Sequence, residues 1–399
     1  PHKCGAVLQY DAGSRPNTHM RAAIPLVDLW AQYQSIRQEL DDAISAVVSK
    51  SAFVGTAGNE FVRRFEQEFA AYAGRRFCIA CGNGTDALEI LLNAAGLGAG
   101  DEVLVPALSW IATSEAVSAC GATPVFVDIL PGQYTIDPAA AAARIGPRTK
   151  AIIPVHLYGL PASISAIADL ARRHDLFLLE DCAQSHGAAV GGKLAGTFGA
   201  AAAYSFFPGK NLGAWGDGGA MLTDDEALAA RARMIAQHGQ SEKKHDHRIE
   251  GRNSRLDGIQ AAILSVKLKH LPSWTEARRR IARRYREELQ GVVDAFQEVP
   301  DGHASVYHLF TVEVANRNTV AEALVREGIA TAVQYPTPLP LLQAYERFGH
   351  QPDDFPVATR ICSRILSIPM YPELTEEQQT RVIDAVRRAV RHASTNATP

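Results

Sequence analysis

The sequence predicts an α/β protein in which a mostly parallel sheet is followed by a smaller α+β region. Between about residues 75 and 236, short runs of β-forming residues alternate with Ala-rich segments whose apolar residues recur at helical spacing. The β-forming runs are apolar throughout, which is typical of strands that are buried on both faces of a sheet. They lie at residues 103–105, 124–127, 151–155 and 176–179, and the clearest helices lie at 86–95 and 163–174.

The composition of the sequence changes after Pro272. Residues 274–289 carry many Arg and Glu residues at helical spacing, which predicts a long, partly exposed helix. Beyond it we predict a strand at 306–314, a helix at 319–327, a strand at 329–333 and a closing helix at 375–392. We therefore expect a large domain over residues 24–272 and a small α+β domain over residues 273–399, with residues 1–23 as a loose or artificial leader.

The overall composition excludes several classes of protein. A chain of 399 residues, 47% of them apolar, can bury a large core and is not disordered. The formal net charge of −3 leaves no polybasic surface for nucleic acid, and no apolar run is long enough to span a bilayer. Six cysteines are too few for a secreted disulfide scaffold, so we expect buried thiols in a cytoplasmic protein. Cys78 and Cys81 lack a second cysteine pair, so we expect core packing and no metal site.

Polar residues that follow the predicted strands are the first candidates for a binding site, because ligands of open parallel sheets lie beyond the carboxyl ends of the strands. The first such segment is the turn Gly-Asn-Gly-Thr-Asp at residues 82–86. Its glycines allow the backbone to approach a ligand, and the helix that follows presents free N–H groups to an anion such as phosphate. An ordinary strand-to-helix turn explains the segment equally well. It lacks the third glycine of a dinucleotide fingerprint, which argues against a nicotinamide-dependent dehydrogenase.

Two further segments complete a possible cofactor site. Asp181 follows the apolar run at 176–179, where its carboxylate can hold a protonated ring nitrogen, although an Asp after a strand is also a common helix cap. Lys210 lies among aromatic and glycine residues at 204–213. Burial disfavours its ammonium form, so Lys210 can form a Schiff base with an aldehyde, with a surface lysine as the alternative. Together the three segments match the phosphate, ring nitrogen and aldehyde of pyridoxal 5′-phosphate (PLP).

The motifs resemble those of the DegT/StrS family of PLP-dependent nucleotide-sugar aminotransferases. This resemblance implies the aspartate aminotransferase-like fold, with a seven-stranded, mostly parallel sheet in a large PLP-binding domain and a smaller C-terminal domain. The likeness covers nearly all of the chain after residue 23. It rests on IPLVDL at 24–29, GNGTDAL at 82–88, HLYG at 156–159, EDCAQSHGA at 180–188, SFFPGKNLG at 205–213, GDGGA at 216–220 and NSRLD at 253–257.

By this resemblance, Lys210 is the catalytic lysine that binds the PLP aldehyde, and Asp181 pairs with the ring nitrogen. Gln184 would contact the phenolic oxygen of PLP. Trp110 would cover the ring, with a core Trp as an equal alternative. The residues that would hold the phosphate are Gly84, Thr85 and Ser205, together with Asn253 of the neighbouring subunit. A residue that reaches the partner in this way implies a homodimer with shared active sites.

The resemblance further implies a cytoplasmic transaminase that makes nucleotide-linked amino sugars, such as those of lipopolysaccharides or antibiotics. Lys210 predicts amino transfer, because a dehydrating branch of the family carries His at this position. Residues 306–312 and 328–336 favour amination of a keto hexose at C-3, with L-glutamate as the donor. Amination at C-4 and a PLP-binding regulator without activity are the alternatives.

Four residues are candidates for contact with the sugar nucleotide: His238, Arg255, His308 and Tyr335. His238 and Arg255 belong to a polar stretch that could supply cationic groups to the diphosphate, although charge-rich stretches are commonly solvated loops. A hydrogen-bonded interior position is an equal alternative for His308.

Overall fold

The computed structural model describes residues 23–55, 58–241, 243 and 245–395. The predicted leader lies outside these residues except for its last position. The strands are β1 (Phe77–Cys81), β2 (Glu102–Pro106), β3 (Thr123–Val127), β4 (Thr149–Ile152), β5 (Phe177–Asp181), β6 (Ala189–Val190), β7 (Lys193–Leu194), β8 (Ala201–Ser205), β9 (Gly219–Thr223), β10 (Ala295–Phe296), β11 (His303–Ala304), β12 (Phe310–Glu313) and β13 (Ile365–Ile368).

The α-helices are α1 (Leu29–Ser35), α2 (Arg37–Ser49), α3 (Glu60–Ala73), α4 (Gly84–Ala94), α5 (Ala112–Ala119), α6 (Pro138–Ala143), α7 (Ile164–Arg173), α8 (Glu226–Ala236), α9 (Gly258–Leu289), α10 (Arg317–Arg326), α11 (Pro356–Arg364) and α12 (Glu376–Thr395). Short 3-10 helices lie at Leu157–Gly159, Leu339–Leu341, Gln343–Phe348 and Pro352–Asp354.

A seven-stranded sheet forms the centre of the large N-terminal part, in the order β1-β9-β8-β5-β4-β2-β3. Strand β9 is antiparallel to its neighbours β1 and β8, and the other pairs are parallel. The four predicted apolar runs are strands β2 to β5, and the two predicted helices are α4 and α7. The predicted α/β class is therefore confirmed.

Both faces of the sheet are buried. Along β1, Ile79 and Cys81 pack in a core with α4, α5 and α8, whereas Cys78 and Ala80 pack in a second core with α3 and the first half of α9. This alternation follows from the two-residue period of a strand. Cys78 and Cys81 are thus buried core residues, as predicted.

The C-terminal part builds its own core around the antiparallel sheet β10-β12-β13. Residues of α10, α12 and the second half of α9 pack there, and Ile24 from the other end of the chain joins them. Helix α9 runs through Pro272, so the change in composition at this residue does not mark the start of an element. The division of the chain into domains at residue 272 stays a prediction.

Two predicted strands differ from the structure. The segment at 329–333 is not a strand, because it makes only isolated bridges, such as those of Ile329 with Ile24 and Ala332 with Ser367. The strand predicted at 306–314 is confined to β12, because residues before it bond elsewhere: the N–H of Val306 donates to the carbonyl of Gly159 at 3.0 Å.

Within the described residues, none of the helices has both the length and the apolar character that crossing a bilayer requires. The cytoplasmic location stays a prediction.

Candidate active site

A cleft of about 660 Å³ opens at the carboxyl ends of β1, β2, β5 and β8. This is the edge of the sheet where ligands of open α/β folds bind. Most of the residues predicted to bind PLP or the sugar line it: Gly84, Thr85, Trp110, Asp181, Gln184, Ser205, Lys210 and Tyr335. The structure therefore brings together segments that lie far apart in the sequence.

The turn between β1 and α4 forms an end of the cleft that suits an anion. The side chain of Asn83 caps α4 by accepting a hydrogen bond from the N–H of Asp86 at 2.8 Å. Gly84 and Thr85 begin the helix, where backbone N–H groups have no partner within the helix and the helix dipole is positive. A Cβ atom at Gly84 would lie 2.6 Å from the Cβ atom of Ser205, so this close approach requires glycine.

Asp86 also faces the cleft, and its charge would repel a phosphate group unless it were balanced. Its carboxylate accepts hydrogen bonds from the Ser254 hydroxyl at 2.6 Å and from Arg252 at 3.2 Å. These two residues flank Asn253, which does not line this cleft and has an exposed side chain that accepts a hydrogen bond from Arg255 at 3.0 Å. The contacts of Asp86 were not predicted, although Arg252 lies in the polar stretch that was expected to supply cationic groups.

Asp181 is the last residue of β5, and both oxygens of its carboxylate accept hydrogen bonds. One oxygen accepts a hydrogen bond from the Thr113 hydroxyl at 2.9 Å, and the other accepts from the N–H of Ala183 at 3.1 Å. Thr113 in turn shares a 2.8 Å hydrogen bond with Ser109. Burial raises the pKa of Asp181, whereas these hydrogen bonds and the charge of Lys210 act in the opposite direction.

Gln184 is oriented by contacts on both ends of its amide group. Its side-chain oxygen accepts a hydrogen bond from the N–H of Tyr158 at 2.7 Å, and its nitrogen donates to the Tyr335 hydroxyl at 3.3 Å. The Tyr335 ring lies 5.5 Å from the ring of Trp110, which is 56% exposed at the cleft. The position of Trp110 is that of a cleft residue and not that of a core Trp.

Lys210 follows β8 and lines the cleft. Burial lowers its pKa to about 8, and the charge of Asp181 opposes this shift. Burial also lowers the pKa of Lys267 to about 8, but that ammonium donates to the carbonyl of Gly213 at 2.7 Å and does not line the cleft. Of these two lysines, Lys210 is the one available for chemistry in the cleft.

Three predicted contacts of the sugar nucleotide lie outside the cleft. His308 is buried with 7% of its surface exposed, and its Nδ1 lies 3.2 Å from the side-chain oxygen of Asn211. His238 lies in a loop with a φ of 59°, and Arg255 bonds Asn253. Their contacts with substrate stay predictions.

The residues of the cleft fit PLP. Gly84 lies at the N-terminus of α4 and beside the hydroxyl of Ser205. This arrangement, here called the anion cradle, suits a phosphate group. The buried carboxylate of Asp181 suits a protonated ring nitrogen, and the amine of Lys210, whose pKa burial lowers to about 8, suits an aldehyde. The exposed indole of Trp110 offers a flat surface to an aromatic ring.

Known proteins with similar sequences include aminotransferases. A sequence profile of the DegT/DnrJ/EryC1/StrS aminotransferase family matches residues 34–387. A UDP-N-acetyl-3-dehydro-α-D-glucosamine 3-aminotransferase from Acidithiobacillus ferrooxidans is 44% identical over 92% of this chain and 98% of that protein. A protein from Geobacillus stearothermophilus that is named as a pleiotropic regulatory protein is also 44% identical, over 92% of this chain and 99% of that protein.

Solved structures agree as well. DesV from Streptomyces venezuelae, in complex with a ketimine intermediate, matches with a TM-score of 0.90 and 41% identity over 93% of this chain and 99% of that chain. NtdA from Bacillus subtilis, with the cofactor PMP (pyridoxamine phosphate) bound, matches with a TM-score of 0.84 and 30% identity over 94% of this chain and 86% of that chain. The predicted aspartate aminotransferase-like fold is confirmed, and the protein is a PLP-dependent sugar aminotransferase. The chain belongs to the DegT/DnrJ/EryC1/StrS aminotransferase family.

Proposed function

We propose that this protein transfers an amino group from L-glutamate to C-3 of a keto hexose that is linked to a nucleotide diphosphate. The product is a nucleotide-linked amino sugar. The observation that carries the proposal is the presence of Lys210 and Asp181 in the cleft that also contains the anion cradle of Gly84, Thr85 and Ser205.

PLP, when bound, supplies an electron-withdrawing ring that stabilises negative charge on the carbon next to the transferred amino group. Asp181 would hold a proton on the ring nitrogen, because an adjacent carboxylate favours the charged form of that nitrogen. The hydrogen bonds from Thr113 and Ala183 keep the carboxylate in one orientation. Lys210 Nζ is the proposed base that takes up and returns a proton, and its pKa of about 8 suits that task near neutral pH.

The C-3 position is supported by the name of the Acidithiobacillus ferrooxidans relative, which specifies a 3-aminotransferase. Tyr335 is the proposed sugar contact in the cleft. Its ring packs on Trp110, and its hydroxyl bonds Gln184, so the hydroxyl is held at a defined position beside the predicted cofactor residues.

We also propose a homodimer in which each subunit completes the partner's site. Asn253 is exposed, whereas its neighbours Arg252 and Ser254 bind Asp86 at the cradle of their own chain. An Asn253 side chain that extends from this surface is available to the phosphate site of a second copy. His238 and Arg255, which lie outside the cleft of their own chain, would then belong to the partner's substrate site.

A cluster of three aromatic side chains, of which Trp30 and Trp215 are exposed, supports an interface with a second copy. Trp30 is 66% exposed and its ring lies 5.3 Å from that of Tyr33, which lies 5.4 Å from the ring of Trp215. Aromatic residues of this kind are enriched in protein interfaces.

A substrate panel tests the proposal. The holoenzyme is incubated with L-glutamate and with UDP- and dTDP-linked 3-keto and 4-keto hexoses, and the products are identified by mass and by the position of the new amino group in NMR spectra. We expect a 3-amino sugar and 2-oxoglutarate in equal amounts, and neither product with Lys210→Ala. An amino group at C-4 contradicts the predicted position, and transfer to free keto acids alone contradicts the sugar assignment.

A further inference from the structure

The C-terminal part of the chain fixes the turn that carries Lys210, through contacts that lie outside the cleft. Within the turn, the N–H of Lys210 donates to the carbonyl of Phe207 at 2.8 Å, and the N–H of Ala214 donates to the carbonyl of Phe206 at 2.8 Å. The next residue after the lysine, Asn211, is 4% exposed and does not line the cleft. Its side chain extends to residues almost a hundred positions later in the chain.

The amide group of Asn211 is fixed by two contacts. Its Nδ2 donates to the carbonyl oxygen of Val306 at 3.1 Å. Because a carbonyl can only accept a hydrogen bond, this contact determines which end of the amide faces His308. The Oδ1 atom of Asn211 therefore lies 3.2 Å from Nδ1 of His308, and that nitrogen must carry the hydrogen.

His308 is itself held in place. Burial holds the pKa of His308 well below its usual range, and the charges of Lys210 and Arg278 act in the same direction, so the ring is neutral. The Arg278 guanidinium donates to the carbonyl oxygens of Tyr307 at 3.1 Å, His308 at 3.3 Å and Met370 at 2.8 Å. The segment that receives Asn211 is thus anchored to α9 and to the end of β13.

We propose that Asn211 and His308 form a positioning pair for Lys210, which fixes the backbone of the turn so that the lysine amine meets the cofactor aldehyde. A lysine side chain has several rotatable bonds, so the direction of its backbone decides where its amine can reach. Small errors in the placement of reacting groups cost large factors in rate. Neither residue touches the cleft, so they act on the reaction through Lys210.

The test measures how fast Lys210 bonds the cofactor. The Nζ amine condenses with the PLP aldehyde, a C=N bond forms, and one water molecule leaves. Apoenzyme is mixed with PLP, and the absorbance of the C=N bond is followed over time. His308→Leu removes the donor to Asn211 and should slow bond formation about tenfold or more. His308→Asn keeps a donor near the position of Nδ1 and should restore the rate to within about threefold.

A second ligand separates positioning from a general loss of structure. Pyridoxamine phosphate lacks the aldehyde, so its binding reports the site without the bond to Lys210. We expect its affinity to change less than about twofold in His308→Leu. Tyr285→Phe, which removes a buried 3.0 Å hydrogen bond to the carbonyl of Pro369, is the matched control and should bond PLP at the normal rate.

Asn211→Ala keeps the proposal testable if His308→Leu does not fold, because it deletes the contact with His308 from the other side, together with the hydrogen bond to Val306. The double variant should be no slower than the slower single variant. A normal rate in the folded single variants, or an equal loss of pyridoxamine phosphate affinity, would overturn the proposal. The inference rests on the proposed role of Lys210, and a Lys210→Ala protein that still forms the bond would refute that role instead.

Discussion

Asp181 shows how single residues determine the chemistry of the cleft. Burial works against its ionised form, and the hydrogen bonds from Thr113 and Ala183 work for it. Asp181 and Lys210 could be predicted from the sequence, because each lies in a distinctive local segment. Thr113 could not, because the contact between Thr113 and Asp181 joins positions 68 residues apart, and the residues around Thr113 carry no marker of that contact.

Replacement of Thr113 by Val should weaken catalysis. The change removes a donor to the carboxylate, so the pKa of Asp181 should rise further, and the ionised form should be lost at a higher pH on acidification. A hydrogen bond to a charged group contributes about 1.5–3 kcal/mol, which corresponds to a loss of about tenfold or more in kcat/KM. The measurement is the pH profile of activity, whose acid limb should move to higher pH. Thr113→Ser retains the hydroxyl, and a Val variant with the profile of the Ser variant would contradict the role of this donor.

At the scale of elements, apolar runs predicted β2 to β5 correctly, because buried parallel strands need apolar residues on both faces. Strands β8 and β9 were not predicted, because their Ala- and Gly-rich sequences have low β propensity. These residues form strands because they pair with neighbouring strands of the sheet. The start of α9 was also missed. Pro272 lies inside α9 and indicated a helix boundary in the sequence, because proline usually interrupts a helix. In the structure the helix runs through it, and residues on both sides of it are buried.

The close approach of α4 to β8 predicts the effect of one added methyl group. In Gly84→Ala the new Cβ would lie 2.6 Å from Cβ of Ser205, so the helix start must move away from the strand end. We expect a loss of about 1–3 kcal/mol in the free energy of unfolding and weaker binding of pyridoxamine phosphate. Calorimetric titration and urea unfolding measure both quantities. Gly146→Ala is the control, because the added atom has no neighbour within 4 Å. Equal stability and equal pyridoxamine phosphate affinity of the two variants would contradict the role of Gly84 in the anion cradle.

At the scale of the whole molecule, the buried pair of His156 and Glu180 connects the end of β5 to distant loops. His156 Nε2 lies 3.0 Å from Glu180, whose carboxylate also accepts hydrogen bonds from the N–H groups of Gly196 and Gly199 at 2.7 Å. Burial alone would raise the pKa of Glu180, but the contacts with His156 and these N–H groups lower it overall. At pH values above the ordinary pKa of a glutamate, the pair therefore stabilises the folded protein. This contribution is lost as the pH falls through the lowered pKa of Glu180.

His156→Leu should remove a large part of this stabilisation. Because the buried carboxylate of Glu180 loses its side-chain partner and keeps only backbone N–H donors, the free energy of unfolding should fall by about 3 kcal/mol at neutral pH. The pKa of Glu180 should rise, so acid unfolding should begin at a higher pH. Urea unfolding across a pH series measures both effects, with His156→Gln as a control that keeps a donor. Equal acid midpoints for the Leu variant and the unchanged protein would contradict the linkage.

The proposed dimer predicts that Asn253→Ala binds PLP about tenfold more weakly while the mass in solution stays that of a dimer. The reason is that the side chain contributes to the partner's phosphate site and is exposed in its own chain. Light scattering gives the mass, and equilibrium dialysis gives the affinity. A monomeric unchanged protein that binds PLP tightly would contradict the shared site.

The most direct measurement of the central claim is the location of the covalent bond to PLP. The holoenzyme is reduced with borohydride, which makes the C=N bond permanent, and the digested peptides are analysed by mass spectrometry. We expect the added cofactor mass on Lys210, and on no other lysine. A modified Lys267, or a protein that carries bound PLP with no modified lysine, would contradict the account.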